Sequence, residues 1–378
     1  MHSATRVVLA AVLLAAASWG AGAQSTATPP LAAVHVDLDG PAPQSIKAYH
    51  LFKDFAHQVP NDGVVPYDLT TPLFSNYATK HRFVWMPPGT HADYDPRTTF
   101  HFPVGAVLIK TFGYLKDIRD PSNGERLIET RLLIHTPKGW IGRPYVWNED
   151  MTDARLAVAG AIVPVTWTHY DGKQRSYDYV VPNMNKCKQC HGIRATTRPI
   201  GPKARYLNKV YPYASGSENE LVHWTKAGYL TGAPANPDEA PRAPVWNDPN
   251  TGTVEQRARA YLDINCAHCH EPGGVAYTSG LDLRFDQTSP IRYGVYKTPV
   301  AAGRGATVGH FAIDPGHPDR SILLFRMTTT DPGMRMPIAG RGVTHKEGVA
   351  LIRKWIAAMK SSPAEQAYAK KEAQGSGL

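Results

Sequence analysis

Cysteine is scarce in this chain, with four residues among 378. That is far too few for a disulfide-built scaffold. Long apolar runs are lacking as well. Beyond residues 1–23 no stretch of 18 apolar residues occurs, which argues against a membrane-spanning helix there. Acidic residues are absent from 179–217, although that segment carries Lys186, Lys188, Arg194, Arg198, Lys203, Arg205 and Lys209. Methionine is missing from 192–265, where the only histidine is His223. What is present is ordinary in bulk. Apolar residues make up 42%, enough for globular cores, and 32 glycines with 32 prolines imply many turns and short elements.

The first residues read as a processing segment. "MHSATR" is weakly basic, an apolar run follows, and "AGA" ends at Ala23 with the small residues a signal peptidase needs. Residues 1–23 are therefore expected to be a cleaved signal peptide, and the chain to be exported, most simply to a periplasm. The formal charge is +9; leaving out 1–23, whose one charged residue is Arg6, gives +8. A basic exported protein suits an acidic protein surface or an anionic membrane surface better than nucleic acid.

Composition and periodicity divide the rest. Residues 24–45 are rich in Pro, Ala and Ser and read as a linker. Residues 46–182 read as an antiparallel, sandwich-like β domain. Strands are expected at Arg82–Met86, Ala106–Tyr114, Leu127–His135, Trp140–Trp147, Arg155–Trp167 and Tyr177–Val181, with turns at "PPG", "SNG", "PKG" and "DG". Residues 183–230 form an irregular segment with one helix, opened by a capping box of Ser217 and Glu220. Residues 231–252 read as a second linker. From 253 to 360 the pattern turns helical. Thr253 and Gln256 cap one helix, Thr344 and Glu347 another, and Val349, Ile352, Ile356 and Met359 make an apolar stripe. The polar tail 361–378 is expected to fray. The predicted fold class is α+β and multidomain: a sandwich-like antiparallel β domain, an irregular segment, and an all-α domain.

All four cysteines fall in two C-x-x-C-H pentapeptides, Cys187/Cys190/His191 and Cys266/Cys269/His270. This is the signature of covalent haem attachment. Two cysteines on one helical turn can bond one edge of a porphyrin, and the histidine that follows reaches beneath the ring to the iron. A zinc ribbon would pair its cysteines across far less chain, about 15–20 residues. A thioredoxin-like dithiol would need a βαβ setting that neither site has. Two haem c groups are therefore expected, with His191 and His270 as iron ligands.

The second ligand of each iron is less uniform. For the His270 site, "DPGMRMPIAG" offers Met334 and Met336, and Met336 before Pro337 is preferred; Met327 and Met359 fit core positions. A thioether ligand raises the iron potential. For the His191 site three possibilities stand: His223; a residue of the β domain, among Met86, Met151, His50, His57, His81, His91, His101, His135 and His169; or an open iron. The acid-free stretch 179–217 offers partners for haem carboxylates or a basic rim for an acidic redox partner.

The chain resembles a family of exported bacterial dihaem c-type cytochromes. The resemblance rests on "TPLFSNYATKHRFVWMPPGT", "IETRLLIHTPKGWIGRPYVWNEDMTDA", "CKQCHG", "RARAYLDINCAHCHEPGG", "DRSILLFRMTTTDPGMRMP" and "EGVALIRKWI", over most of the sequence after 1–23. It implies that the all-α domain is cytochrome c-like, and it implies two covalent haems and a periplasmic redox role. The expected function is electron transfer between redox partners, with no catalytic residue of its own. The alternative is a peroxidase-like haem oxidoreductase with an open iron at His191.

Overall fold

The computed structural model describes Met1 and residues 32–194, 196–300, 303–361 and 363–375. The expected signal peptide, Met1 apart, and residues 24–31 lie outside the described residues. Its organising element is a six-stranded antiparallel meander: Val65–Tyr67 (β1), Thr79–Trp85 (β2), Val107–Leu115 (β3), Glu125–Thr136 (β4), Gly139–Trp147 (β5) and Ala154–Leu156 (β6), each hydrogen-bonded to the next. These strands are dense in β-branched and aromatic residues, which suit a pleated, half-buried surface. The tight β4–β5 turn needs Gly139, whose φ is 100°. A hairpin of Ala161–Thr168 (β7) and Gln174–Val181 (β8) follows. The expected long strand Arg155–Trp167 is thus broken in two. The break falls at Gly160, where φ is +81° and an added Cβ would lie 2.5 Å from the Val181 carbonyl oxygen.

Side chains alternate across the sheet, so each face has its own partners. One face presents Phe83, Val107, Ile109, Leu132, Ile134 and Tyr145 to Ile46, Tyr49, Leu51 and Phe52. The other presents Val84, Leu108 and Leu133 to Tyr206, Leu207, Trp224, Ala260 and Ile264. The second core joins the sheet to chain that lies after the first C-x-x-C-H and before the second. Tyr206 and Trp224 are each at most 1% exposed. Burying side chains of this size contributes roughly 1.5–3 kcal/mol apiece. Residues Ala33–Leu378 form one compact unit.

The expectation of an all-α domain over 253–360 is corrected by the structure. The regular helices there are Val254–Leu262 (α3), Ile322–Thr328 (α4) and Lys346–Ala358 (α5), with one turn at Pro290–Tyr293. Between them run Gly- and Pro-rich loops joined by isolated bridges, Val295 to Ile313 and Phe311 to Ser321. The helices do share a core, in which Leu262, Tyr293, Ile313, Leu324, Ile352 and Ile356 meet. Loop residues contribute to it as much as helices do.

The caps divide in the same way. The Thr253–Gln256 capping box is present. The helix at Glu220–Lys226 (α2) is instead capped by Asn219, whose side chain accepts from the Leu221 N–H, while Ser217 lies in a short strand. Helix α5 starts after His345 without a side-chain cap, and Glu347 is drawn to the Tyr77 hydroxyl, 2.8 Å away. The tail forms a helix at Pro363–Gly375 rather than fraying. Among the described residues no helix is long and apolar enough to cross a membrane.

Candidate haem-binding sites

The first pentapeptide forms a single helical turn, Cys187–His191 (α1), that follows strand β8. It lies against the sheet at β5. A Cβ built on Gly142 would stand 2.5 Å from the Cys187 sulfur, so only glycine allows the thiol this close. The His191 Nδ1 lies 2.8 Å from the Arg198 carbonyl oxygen. A carbonyl can only accept, so Nδ1 carries the proton and Nε2 is left bare. Burial pushes the His191 pKa down to about 4, although the Arg198 carbonyl opposes this, and the imidazole is neutral at pH 7. A neutral ring with one nitrogen tied down and the other free is the state in which histidine ligates a metal.

The second pentapeptide sits where α3 loosens into a π-helical turn, Asp263–Ala267. His270 repeats the arrangement of His191 with a different partner. Its Nδ1 is 3.0 Å from the Ser279 hydroxyl oxygen, and that hydroxyl donates to the Ala276 carbonyl at 2.7 Å. The serine proton is therefore committed, the serine oxygen accepts from Nδ1–H, and Nε2 is free. Burial also pushes the His270 pKa down to about 4.

A cavity of about 640 Å³ opens beside Cys266, Cys269 and His270 and is walled by Leu281, Leu283, Ile322 and Leu323. That volume falls within the roughly 300–1,000 Å³ usual for cofactor sites, and the wall is apolar as such sites are. Met336 lines it; Met334 does not. The loop bearing Met336 is clipped to α4: its N–H donates to the Arg326 carbonyl at 2.8 Å, Arg326 returns a bond to the Met334 carbonyl at 3.1 Å, and Arg341 bonds the Met327 carbonyl. Met327, expected in the core, is in the core and also lines the cavity. The residues present therefore fit a haem at this site: two thiols, a free imidazole nitrogen and a thioether around an apolar chamber.

All four cysteines are free. Burial pushes the pKa of Cys266 and Cys269 up to about 12 and raises those of Cys187 and Cys190, the reverse of a reactive dithiol. Among the described residues no three His, Cys, Asp or Glu side chains converge to hold a metal ion.

The two pentapeptides are 75 residues apart in sequence, counting from His191 to Cys266, yet they abut in the fold. Ile193 pairs with Gly274 in an antiparallel bridge, and the Arg194 N–H donates to the Gly273 carbonyl at 2.6 Å. The Cys269 sulfur is 3.6 Å from the Gln189 carbonyl, and Arg198 forms an ion pair with Glu271. Gly273 permits the approach, because its φ is +83° and a Cβ there would fall 2.9 Å from the Arg194 side chain. Behind this contact Asp263, 1% exposed, accepts from the Tyr206 hydroxyl at 2.6 Å and from Lys203 at 3.2 Å.

His223 goes elsewhere than expected. Its ring stacks on Tyr213 at 3.5 Å between centroids, and its Nδ1 meets Glu218 at 3.2 Å, so it is committed to the surface of its own hairpin and helix. The β-domain candidates also have other partners. Met86 is core, Met151 accepts from the Leu127 N–H, His81 pairs with Glu125, and His169 lies between Tyr77 and Glu347. His135 stacks on Trp140 and bonds the Phe102 carbonyl, while His50, His57, His91 and His101 are exposed.

One histidine was overlooked. His268, the inner residue of "CAHCH", is 7% exposed, and its Nδ1 has no hydrogen-bond partner. It lines the same cavity as Cys190, Cys266, Cys269 and His270. Burial pushes its pKa down to about 3, and the nearby His191 adds to the effect. The extra histidine inside the second motif was the available signal.

Comparisons with family models, with curated proteins and with solved structures return no match for this chain.

Proposed function

We propose that the protein is an exported electron carrier with two covalently attached haems, one at Cys187, Cys190 and His191 and one at Cys266, Cys269 and His270. A haem at each motif supplies a one-electron iron couple. The observation that carries the reading is the backbone contact between the segments that directly follow the two pentapeptides, through Ile193, Arg194, Gly273 and Gly274. An electron carrier needs its redox groups adjacent and rigidly held. Asp263 serves the same end by tying residue 203, just past the first motif, to the helix that leads into the second.

The chain's own residues make the two sites unequal. Met336 offers sulfur to the second iron, which favours the reduced state. At the first, His268, whose Nδ1 lacks a partner and which lines the cavity shared by Cys190 and Cys266, would be the side chain near His191 able to hold the other iron with nitrogen. Electrons therefore run toward the Met336 site. The chamber there opens among exposed Val275, Val300 and Ile338, with Lys188, Lys297 and Arg326 on its wall and no acidic residue among the described lining. An apolar mouth set in positive charge suits a redox partner with an acidic surface.

Electron paramagnetic resonance of the oxidised, full-length protein tests this assignment. Two low-spin species are expected, and His268→Ala converts one of them to high spin. A high-spin species already present in the unaltered protein, able to bind peroxide, would favour the haem oxidoreductase reading instead.

A further inference from the structure

The sheet face beside α1 carries a row of cations that its own acids do not balance. Arg82 stands opposite Lys110, Lys110 opposite Arg131, and Lys80 one step along β2 on the same face. Directly opposed side chains on neighbouring strands have Cβ atoms about 4.5–5.5 Å apart, and like charges so placed repel. The arginines have partners: Arg82 meets Asp68 at 2.5 Å, and Arg131 grips Glu129 with two bonds of 2.6 and 2.8 Å. Asp68 is shared with Lys209 at 3.2 Å.

The lysines do not have such partners. Lys80 reaches only the Ala78 carbonyl, at 3.3 Å, and Lys110 lies over the Phe112 ring, 4.9 Å from its centroid. Glu220, the remaining buried acid nearby, is pushed up to about 9 by burial and is neutral at pH 7. Burial and the neighbouring cations push both ammonium groups down, Lys80 to about 7 and Lys110 well below the ordinary lysine value. Lysines so placed keep their charge only at a cost, which an anion covering this face would offset.

We infer that Lys80 and Lys110 form an anion site whose occupant is the pair of propionate carboxylates of the haem attached at Cys187 and Cys190. The inference rests on the reading of the first pentapeptide as a haem site. Position favours this occupant. Cys187 lies on Gly142, and Gly142 is opposite Leu133, two residues along β4 from Arg131. Lys110 and Arg131 are the cations that act on both Cys190 and His191. The thioether edge of the ring is fixed at α1, and the row of cations runs from there across the sheet toward β2. Number favours it too, since two carboxylates meet two unpaired lysines. Lys80 and Lys110 are positioning residues: they orient the ring and, as fixed positive charge, favour reduced iron.

The test is spectroelectrochemical titration of the full-length, haem-loaded protein, with haem content measured on the same samples. Lys110→Met and Lys80→Met, singly and together, are expected to lower the midpoint potential of one haem and leave the other unchanged, with the larger shift in the double variant. Lys110→Arg keeps the charge and is expected to stay near the unaltered value, which holds if the methionine variants fail to mature. Exposed Lys173→Met is the control. Unchanged potentials in the double variant at full haem content overturn the inference. So does a saturable response of the unaltered protein to inorganic phosphate that Lys110→Met abolishes, because the site would then serve an external anion. Absence of haem at the first motif is a different result, and it overturns the functional reading itself.

Discussion

Asp263→Ala probes the joint between the two motif-bearing segments. Its carboxylate accepts from the Tyr206 hydroxyl at 2.6 Å, the Phe285 N–H at 3.1 Å and Lys203 at 3.2 Å, with Arg205 at 4.0 Å. Alanine removes every one of these bonds and leaves Lys203 and Arg205 as buried charge without a counterion. Breaking a buried pair in this way costs about 3–5 kcal/mol. Asparagine keeps acceptors for Tyr206 and Phe285 but loses the charge, and should cost less, about 1.5–3 kcal/mol. With a urea slope of about 3 kcal/mol per molar, the alanine variant's midpoint falls by about 1–1.7 M. The assay is urea unfolding of the haem-loaded protein at pH 7, followed by tryptophan fluorescence. Burial raises the Asp263 pKa, but Lys203, Arg205 and the Tyr206 hydroxyl outweigh it, and the net result lies below the ordinary value. A group with a depressed folded-state pKa stabilises above its unfolded value, near 3.9, and that contribution is lost as the pH falls through the folded value. The gap between Asp263→Ala and the unaltered protein should therefore be full at pH 7 and narrow below about pH 4. A midpoint shift under about 0.3 M at pH 7 would refute the reasoning.

Other outcomes follow from the site geometry. Gly142→Val drives a side chain into the Cys187 sulfur, so haem content should fall from two per chain to one, with the second site intact; unchanged content would contradict the packing. Met336→Ala should lower the higher of the two midpoint potentials, whereas Met334→Ala, outside the cavity wall, should leave it in place. Removing both Lys188 and Lys297 by methionine substitution should slow reduction by an acidic redox partner at low salt, and the difference should shrink at high salt.

What could be read in the sequence was local. The main strands fall within a few residues of their expected ends, because alternation and turn glycines act over short stretches. The Thr253–Gln256 cap was legible for the same reason. The all-α domain was not there because an apolar stripe such as Val349 to Met359 fixes one helix and says nothing of the chain between helices. The loops at 271–320 take their shape from pairings such as Ile313 with Val295, which no local pattern encodes. The C-x-x-C-H pattern is local, but the contact between the segments that follow the two motifs depends on Gly273 meeting the distant Arg194. The cation row appears only once strand register sets Lys110 beside Arg82 and Arg131. His223 misled because it was the only histidine in its stretch, and its stacking on Tyr213 is a tertiary fact.

The central claim is two covalent haems on one chain, held side by side. The most direct measurement is the pyridine haemochrome spectrum of the protein produced with export and haem attachment, set against protein concentration and intact mass. The account predicts two haems per chain, bound through thioethers, with one lost in the Cys187→Ala/Cys190→Ala variant and the other in Cys266→Ala/Cys269→Ala. A protein that matures without haem, or that carries one haem which neither pair of substitutions removes alone, would contradict it.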